Sequence, residues 1–148
     1  MNSTVTNMVD EGTRCEKKGD FRSAARHYQE ALAAYQHLAA LDEENMVAHV
    51  NIGDLQTLLG VGEEATVSYR KALELVQDEQ DPHRLWPLAD PARAPFRPTD
   101  IQFELLRQFI IKAPYDRRIS IALTGINALY EHLFDPQNLS AEKLQLNV

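Results

Sequence analysis

The stretch KKGDFRSAARHYQEALAAY, residues 17–35, returns further along as LLGVGEEATVSYRKALELV, residues 58–76. Laid over each other, Gly19 meets Gly60, Ala24 meets Ala65, Tyr28 meets Tyr69 and Ala31 meets Ala72, always 41 residues apart. Upstream of both stretches, Gly12 and Gly53 keep the same interval. One register held over five positions identifies an internal repeat. Ala24, Tyr28 and Ala31 share one face of a helix by the i, i+4, i+7 rule. Small side chains there let a neighbouring helix approach, and the tyrosine ring fills the space beside them. Gly19 and Gly60 stand where the chain reverses between two helices, a position that favours glycine's backbone freedom. Gly12 and Gly53 lie inside the preceding helices, where glycine costs stability unless a close crossing requires it. The pattern predicts helical hairpins that stack.

These residues resemble the tetratricopeptide repeat family, whose signature sets Leu-Gly and an aromatic in a first helix before Ala, an aromatic and Ala in a second. The second unit supplies Ile52-Gly53, Gly60, Ala65, Tyr69, Ala72 and Leu73. The first supplies Gly12, Gly19-Asp20-Phe21, Ala24, Tyr28, Ala31 and Leu32. Met8 and His49 depart from the family's tryptophan, Glu11 from its leucine, and Cys15 and Gln56 from its first-helix aromatic. The resemblance covers roughly residues 6–80. It implies an all-α fold, a right-handed solenoid of helical hairpins followed by a C-terminal helix pair. The interval exceeds the usual repeat of about 34 residues by roughly two helical turns, which longer helices absorb while each side chain keeps its face. One helix is expected to run to about Leu41, a short acidic turn to follow at DEEN, and a new helix to start near Met46. This is similar to the long-helix variety of the family found in kinesin light chains and in the signalling scaffold LGN.

Three segments are expected: two hairpins over residues 1–80, a proline-rich extended linker over 81–100, and helices over 101–148. The middle segment, DPHRLWPLADPARAPFRPTD, carries five prolines, which remove backbone donors and bias their predecessors away from helix. Trp86 and Phe96 are its candidate anchors, and it either links inertly or lies along a groove. Thr99 or Asp100 is a candidate cap for a helix bearing Ile101, Leu105, Leu106, Phe109 and Ile110, ended by Pro114. A second helix follows with Ile119, Ala122, Leu123, Ile126, Tyr130 and Leu133 on its face. The tail NLSAEKLQLNV reads as a short helix started by Ser140. Two repeats leave an open apolar end, so this last pair is expected either to cap the stack as a degenerate third repeat or to drive homodimerisation.

Composition narrows the function. At 148 residues, 44% hydrophobic and 25% charged, the chain can bury a core and has no run long enough for a membrane span. Residues 1–80 hold fourteen Asp and Glu against seven Lys and Arg, whereas residues 81–148 hold eight of each. An acidic front half repels nucleic-acid phosphates and anionic membranes, so neither is expected as a partner. The start MNSTVTNMVDEGTR reads as no secretory signal, and the lone Cys15 suits a reducing compartment. A cytoplasmic location is expected.

No catalytic constellation emerges. His27, His37, His49, His83 and His132 lack metal-ligand spacing, GVG at 60–62 is a turn rather than a phosphate loop, and Cys15 has no neighbouring base in sequence. No enzyme activity, metal or cofactor is expected. The resemblance instead implies an interaction module, an adaptor, scaffold or dedicated chaperone that holds a peptide or helix in the concave face of the first helices. Carried over, that face is Val9, Asp10, Thr13, Glu16 and Lys17 in the first unit and Val50, Asn51, Asp54, Thr57 and Leu58 in the second. Asn51 is the leading contact, since in long-helix repeats an asparagine at this place grips a guest backbone, and an amide donates and accepts together. The cationic half of the family's carboxylate clamp is missing, which argues against Hsp70 or Hsp90 tails. Asp10, Glu16 and Asp54 favour a basic or amphipathic segment. Asn51→Ala or Asp54→Lys is expected to weaken binding without unfolding. Two other readings are a homodimerising structural subunit and a nucleic-acid-binding helix pair starting at Arg117-Arg118, the latter resting on a thin basic footprint.

Overall fold

The computed structural model describes residues 2–90 and 97–113, with positions 120, 123, 124 and 127 besides. These residues form helices without strands: α1 (Asn2–Lys17), α2 (Phe21–Leu41), α3 (Met46–Leu58), α4 (Gly62–Asp78), α5 (Pro82–Ala89) and α6 (Thr99–Lys112). The chain divides into two compact units, Met1–Glu79 and Gln80–Val148.

In the first unit consecutive helices pack, α1 on α2, α2 on α3 and α3 on α4. Both hairpin turns are built alike. After α1 the Asp20 N–H donates to the Cys15 carbonyl at 2.9 Å and the Gly19 N–H to the Glu16 carbonyl at 3.0 Å. After α3 the Val61 N–H donates to Gln56 at 2.9 Å and the Gly60 N–H to Thr57 at 3.1 Å. This bond pair demands a left-handed residue, and Gly19 (φ 81°) and Gly60 (φ 80°) supply it. Asp20 and Asn45 then cap α2 and α4's predecessor α3, accepting from the N–H groups of Ser23 at 3.2 Å and Ala48 at 3.0 Å. The connection at Asp42–Asn45 is short, and α2 and α3 take the bounds that the acidic turn implies.

Packing explains the repeated tyrosines. Tyr28 and Tyr69 are each about 2% exposed, flanked by buried Ala24 and Ala31 or Ala65 and Ala72. A Cβ added at Gly12 would lie 2.5 Å from Tyr28 Cε1, and one at Gly53 would lie 2.6 Å from Tyr69 Cε1. Each ring therefore rests on bare backbone of the preceding helix. Burying a side chain of this size is worth about 1.5–3 kcal/mol, so each ring is a principal tie of its hairpin. Val5 and Leu55 join Tyr28 in one cluster with Met8, Val9, Cys15, Leu32, Tyr35 and Leu58 packed against it. Helix α3, with helices on two sides, buries Met46, Ala48, Val50, Ile52, Leu55 and Gln56.

The second unit departs from the sequence expectation. Residues 82–89, expected as extended linker, are the helix α5. Two features override the proline density. Asp81 caps α5 through the His83 N–H at 2.9 Å, and Pro82 occupies the first helical position, where no N–H is needed. Pro87 removes one helical bond close to the end. There α5 buries Leu85, Leu88 and Ala89 in packing against α6. Trp86 does anchor the segment, with its ring centroid 5.1 Å from that of Phe109. The carbonyls left over at the end of α5 are met from outside: Arg97 Nη1 donates to Leu88 O at 2.7 Å, and Gln102 Nε2 donates to Ala89 O. Arg97 also donates to Gln102 Oε1 at 2.6 Å, so a buried arginine and a buried glutamine close that end together. Neither Thr99 nor Asp100 caps α6; Pro98 takes that position without a side-chain bond, and Thr99 is the first helical residue. Leu105, Leu106 and Phe109 form the buried face of α6, with Gln102 and Gln108 added to it and Ile101 and Ile110 only half-buried. Phe96, most of the helix expected after Pro114, Arg117-Arg118 and the tail from Asn138 lie outside the described residues.

Candidate functional site

The ten residues carried over from the sequence lie on α1 and α3, and they separate into three groups. Val9, Val50 and Leu58 belong to the core: Val50 is 1% exposed, and Val9 and Leu58 pack on the cluster around Tyr28. Val50 cannot contact a guest without the helices parting, which corrects its assignment as a contact residue; Val9 and Leu58 remain half-buried. The sequence misplaced Val50 because α3 is buried on more than one side, so its apolar positions exceed a single stripe.

Thr13, Glu16, Asp54 and Thr57 form the second group, half-buried and bound to the tyrosines. The Tyr28 hydroxyl donates to Glu16 Oε2 at 2.9 Å, with Thr13 Oγ1 3.4 Å from that hydroxyl. The Tyr69 hydroxyl donates to Asp54 Oδ1 at 2.6 Å, with Thr57 Oγ1 3.4 Å away. Each threonine also donates to a carbonyl one turn back, Thr13 to Val9 at 3.1 Å and Thr57 to Gly53 at 2.9 Å. Offset by 41 residues, Thr13 corresponds to Asp54 and Glu16 to Thr57. The two hairpins thus build the same tyrosine, threonine and carboxylate trio with the acid and the hydroxyl exchanged. That exchange was legible in the aligned repeats, as a compensating pair one helical turn apart, and reading each position singly overlooked it. Burial, and then the neighbouring Glu16 carboxylate, push the Tyr28 phenol above its ordinary value. Tyr35 on α2 is raised likewise, by burial first and then by the charge of Asp54.

Asp10, Lys17 and Asn51 are the third group. Asp10 and Lys17 are exposed, and Asn51 is half-buried. Asn51 lies one helical turn before Asp54 and Leu55 on α3. Its amide makes no hydrogen bond within the chain among the described residues. An amide that is partly withdrawn from water yet unpaired inside the fold retains both donor and acceptor capacity for a guest.

Cys15 is a free, half-buried thiol against the Tyr28 cluster. Among the described residues no three His, Cys, Asp or Glu converge as a metal site, and no helix is long and apolar enough to cross a membrane. No protein-family model matches the chain, and neither does any curated protein.

Proposed function

We propose that α1–α4 are two tetratricopeptide-like hairpins of the long-helix variety, and that the protein is a non-enzymatic, cytoplasmic interaction module. Its guest is a peptide or helix laid across α1 and α3, the first helices of the two hairpins. The observation that carries this reading is Asn51: a half-buried amide on α3, unpaired within the chain among the described residues, one turn before Asp54, whose carboxylate a tyrosine hydroxyl holds in place. Preorganisation supports it further. Glu16 and Asp54 are already fixed by Tyr28 and Tyr69, so a guest would pay little to order the surface it meets. The working contacts on this reading are Asp10, Asn51 and the outer edges of Glu16 and Asp54, with Lys17 at the rim.

The test is a peptide selection. Random peptides displayed on phage are selected against the wild-type chain, and each selected peptide is titrated against wild type and Asn51→Ala. Loss of about 1.4 kcal/mol or more, roughly tenfold in Kd, is expected at unchanged melting temperature. Selected peptides that bind Asn51→Ala as tightly as wild type would remove the central contact and the reading with it.

A further inference from the structure

Outside the α1–α3 face, one helix carries an unexplained arrangement at its two ends. Among the described residues the two most exposed large apolar side chains are Phe21, 67% exposed, and Leu41, 73% exposed. They are the first and last residues of α2, about 30 Å apart along the axis.

Phe21 sits among cations. Lys17, Lys18 and Arg22 are exposed around it, none with an ion pair among the described residues, and Arg26 follows one turn on. The acids of this turn are turned to other uses: Asp20 caps α2 through Ser23, and Glu16 takes the Tyr28 hydroxyl.

Leu41 sits among anions. Asp42, Glu43 and Glu44 follow it, all exposed, and then Val47, 44% exposed. No Lys or Arg occurs between Arg26 and Arg70, so this end has no cation of its own nearby in sequence.

The helix macrodipole favours the opposite placement, acids in the first turn and bases in the last. α2 has no acid in its first turn and no base in its last turn. Arg22 at the start of α2 and Asp42 at its end are therefore unfavourably placed for this helix, although Asp20 caps its first turn and Lys17 suits the last turn of α1. An apolar side chain exposed amid each set adds a second cost that contact with a complementary surface would relieve.

We infer that the Phe21 end of one chain docks on the Leu41–Val47 end of a second copy, joining molecules head to tail along α2. Lys17, Lys18 and Arg22 meet Asp42, Glu43 and Glu44, and Phe21 packs on Leu41 and Val47. A second copy fits better than an extended polyanion, because its anionic patch is local and carries apolar side chains. A broad anionic membrane or nucleic acid would instead meet the repulsion of a chain whose net charge is −7. The same net charge keeps the contact weak and sensitive to salt. The two patches differ, so the contact is heterologous and extends into short linear oligomers rather than closing as a two-fold dimer.

Sedimentation equilibrium of the full chain tests this. At low salt the weight-average mass is expected to climb above the 16.8 kDa monomer as concentration rises. It should return to the monomer value near 1 M salt, where screening reaches about 3 Å. Lys18→Glu/Arg22→Glu and Glu43→Lys/Glu44→Lys should each be monomeric alone, and mixing the two should restore association. Circular dichroism checks that both variants fold; Phe21→Ser and Leu41→Ser replace any that does not, and each should abolish assembly. A wild-type chain that stays monomeric at every concentration overturns the inference, as does assembly that neither pair of variants weakens. So does a monomeric wild type that binds vesicles rich in phosphatidylserine, which would assign the basic tip to lipid.

Discussion

Gly53 offers a sharp test of how the hairpins are held. Its substitution by alanine would place a Cβ 2.6 Å from Tyr69 Cε1, 2.7 Å from Cδ1 and 2.9 Å from Cζ. Carbon atoms pack near 3.5–4.0 Å, so the ring must retreat by about 1 Å. It has little room to do so, being about 2% exposed and tied at its hydroxyl to Asp54. Overpacking of this kind costs up to about 3 kcal/mol, and alanine's better helix propensity returns about 1, leaving a net loss of about 2 kcal/mol. The sign should reverse when the obstacle is removed. In a Tyr69→Leu background the same Gly53→Ala change should stabilise by about 1 kcal/mol, because only propensity remains. Urea unfolding followed by circular dichroism on the four proteins measures the coupling, expected near 3 kcal/mol. Gly53→Ala that stabilises the wild type, or that has the same effect in both backgrounds, would refute the close approach of ring and backbone. Gly12 and Tyr28 form the equivalent pair and should behave alike.

Further predictions follow from the polar contacts. Tyr69→Phe removes only the hydroxyl held by Asp54 and should cost about 1–2 kcal/mol in urea unfolding, against about 3–5 for Tyr69→Ala. Asp54→Lys, expected from sequence to spare the fold, should share that loss, because its carboxylate is the tyrosine's acceptor; Asn51→Ala is therefore the cleaner probe of binding. Arg97→Met leaves the Leu88 carbonyl and Gln102 Oε1 without this donor and should loosen α5. The chain's single tryptophan, Trp86 against Phe109, should report it as a shift in fluorescence toward that of exposed indole. The hydrogen bonds from Ser23 hold the Asp20 carboxyl below its ordinary 3.8. As pH falls the unfolded chain then takes up the proton first, so this contribution is full above 3.8 and is lost as pH drops through the lowered folded value. Melting temperatures of wild type and Asp20→Asn should accordingly converge on acidification; curves that stay parallel would dismiss the cap's ionic part.

The sequence by itself determined the features that depend on near neighbours along the chain. Gly19 and Gly60 mark left-handed turn positions, Tyr28 and Tyr69 recur on an alanine-lined face, and DEEN breaks the long helix after Leu41. Each is set by backbone torsions or by one helical face, so periodicity alone exposes it. Tertiary structure decided what depends on residues brought together from different helices. Proline density at 81–100 argued for extended chain, yet α5 forms because Pro82 needs no donor, α6 receives Leu85 and Leu88, and Arg97 with Gln102 satisfies its last carbonyls. Val50 proved to be core rather than contact, since burial counts neighbours on every side while a position carried over from a family's repeat register counts none. The exchange of Thr13 and Glu16 for Asp54 and Thr57 acquires its meaning from a hydroxyl on another helix, a partner that no local pattern along α1 or α3 can supply.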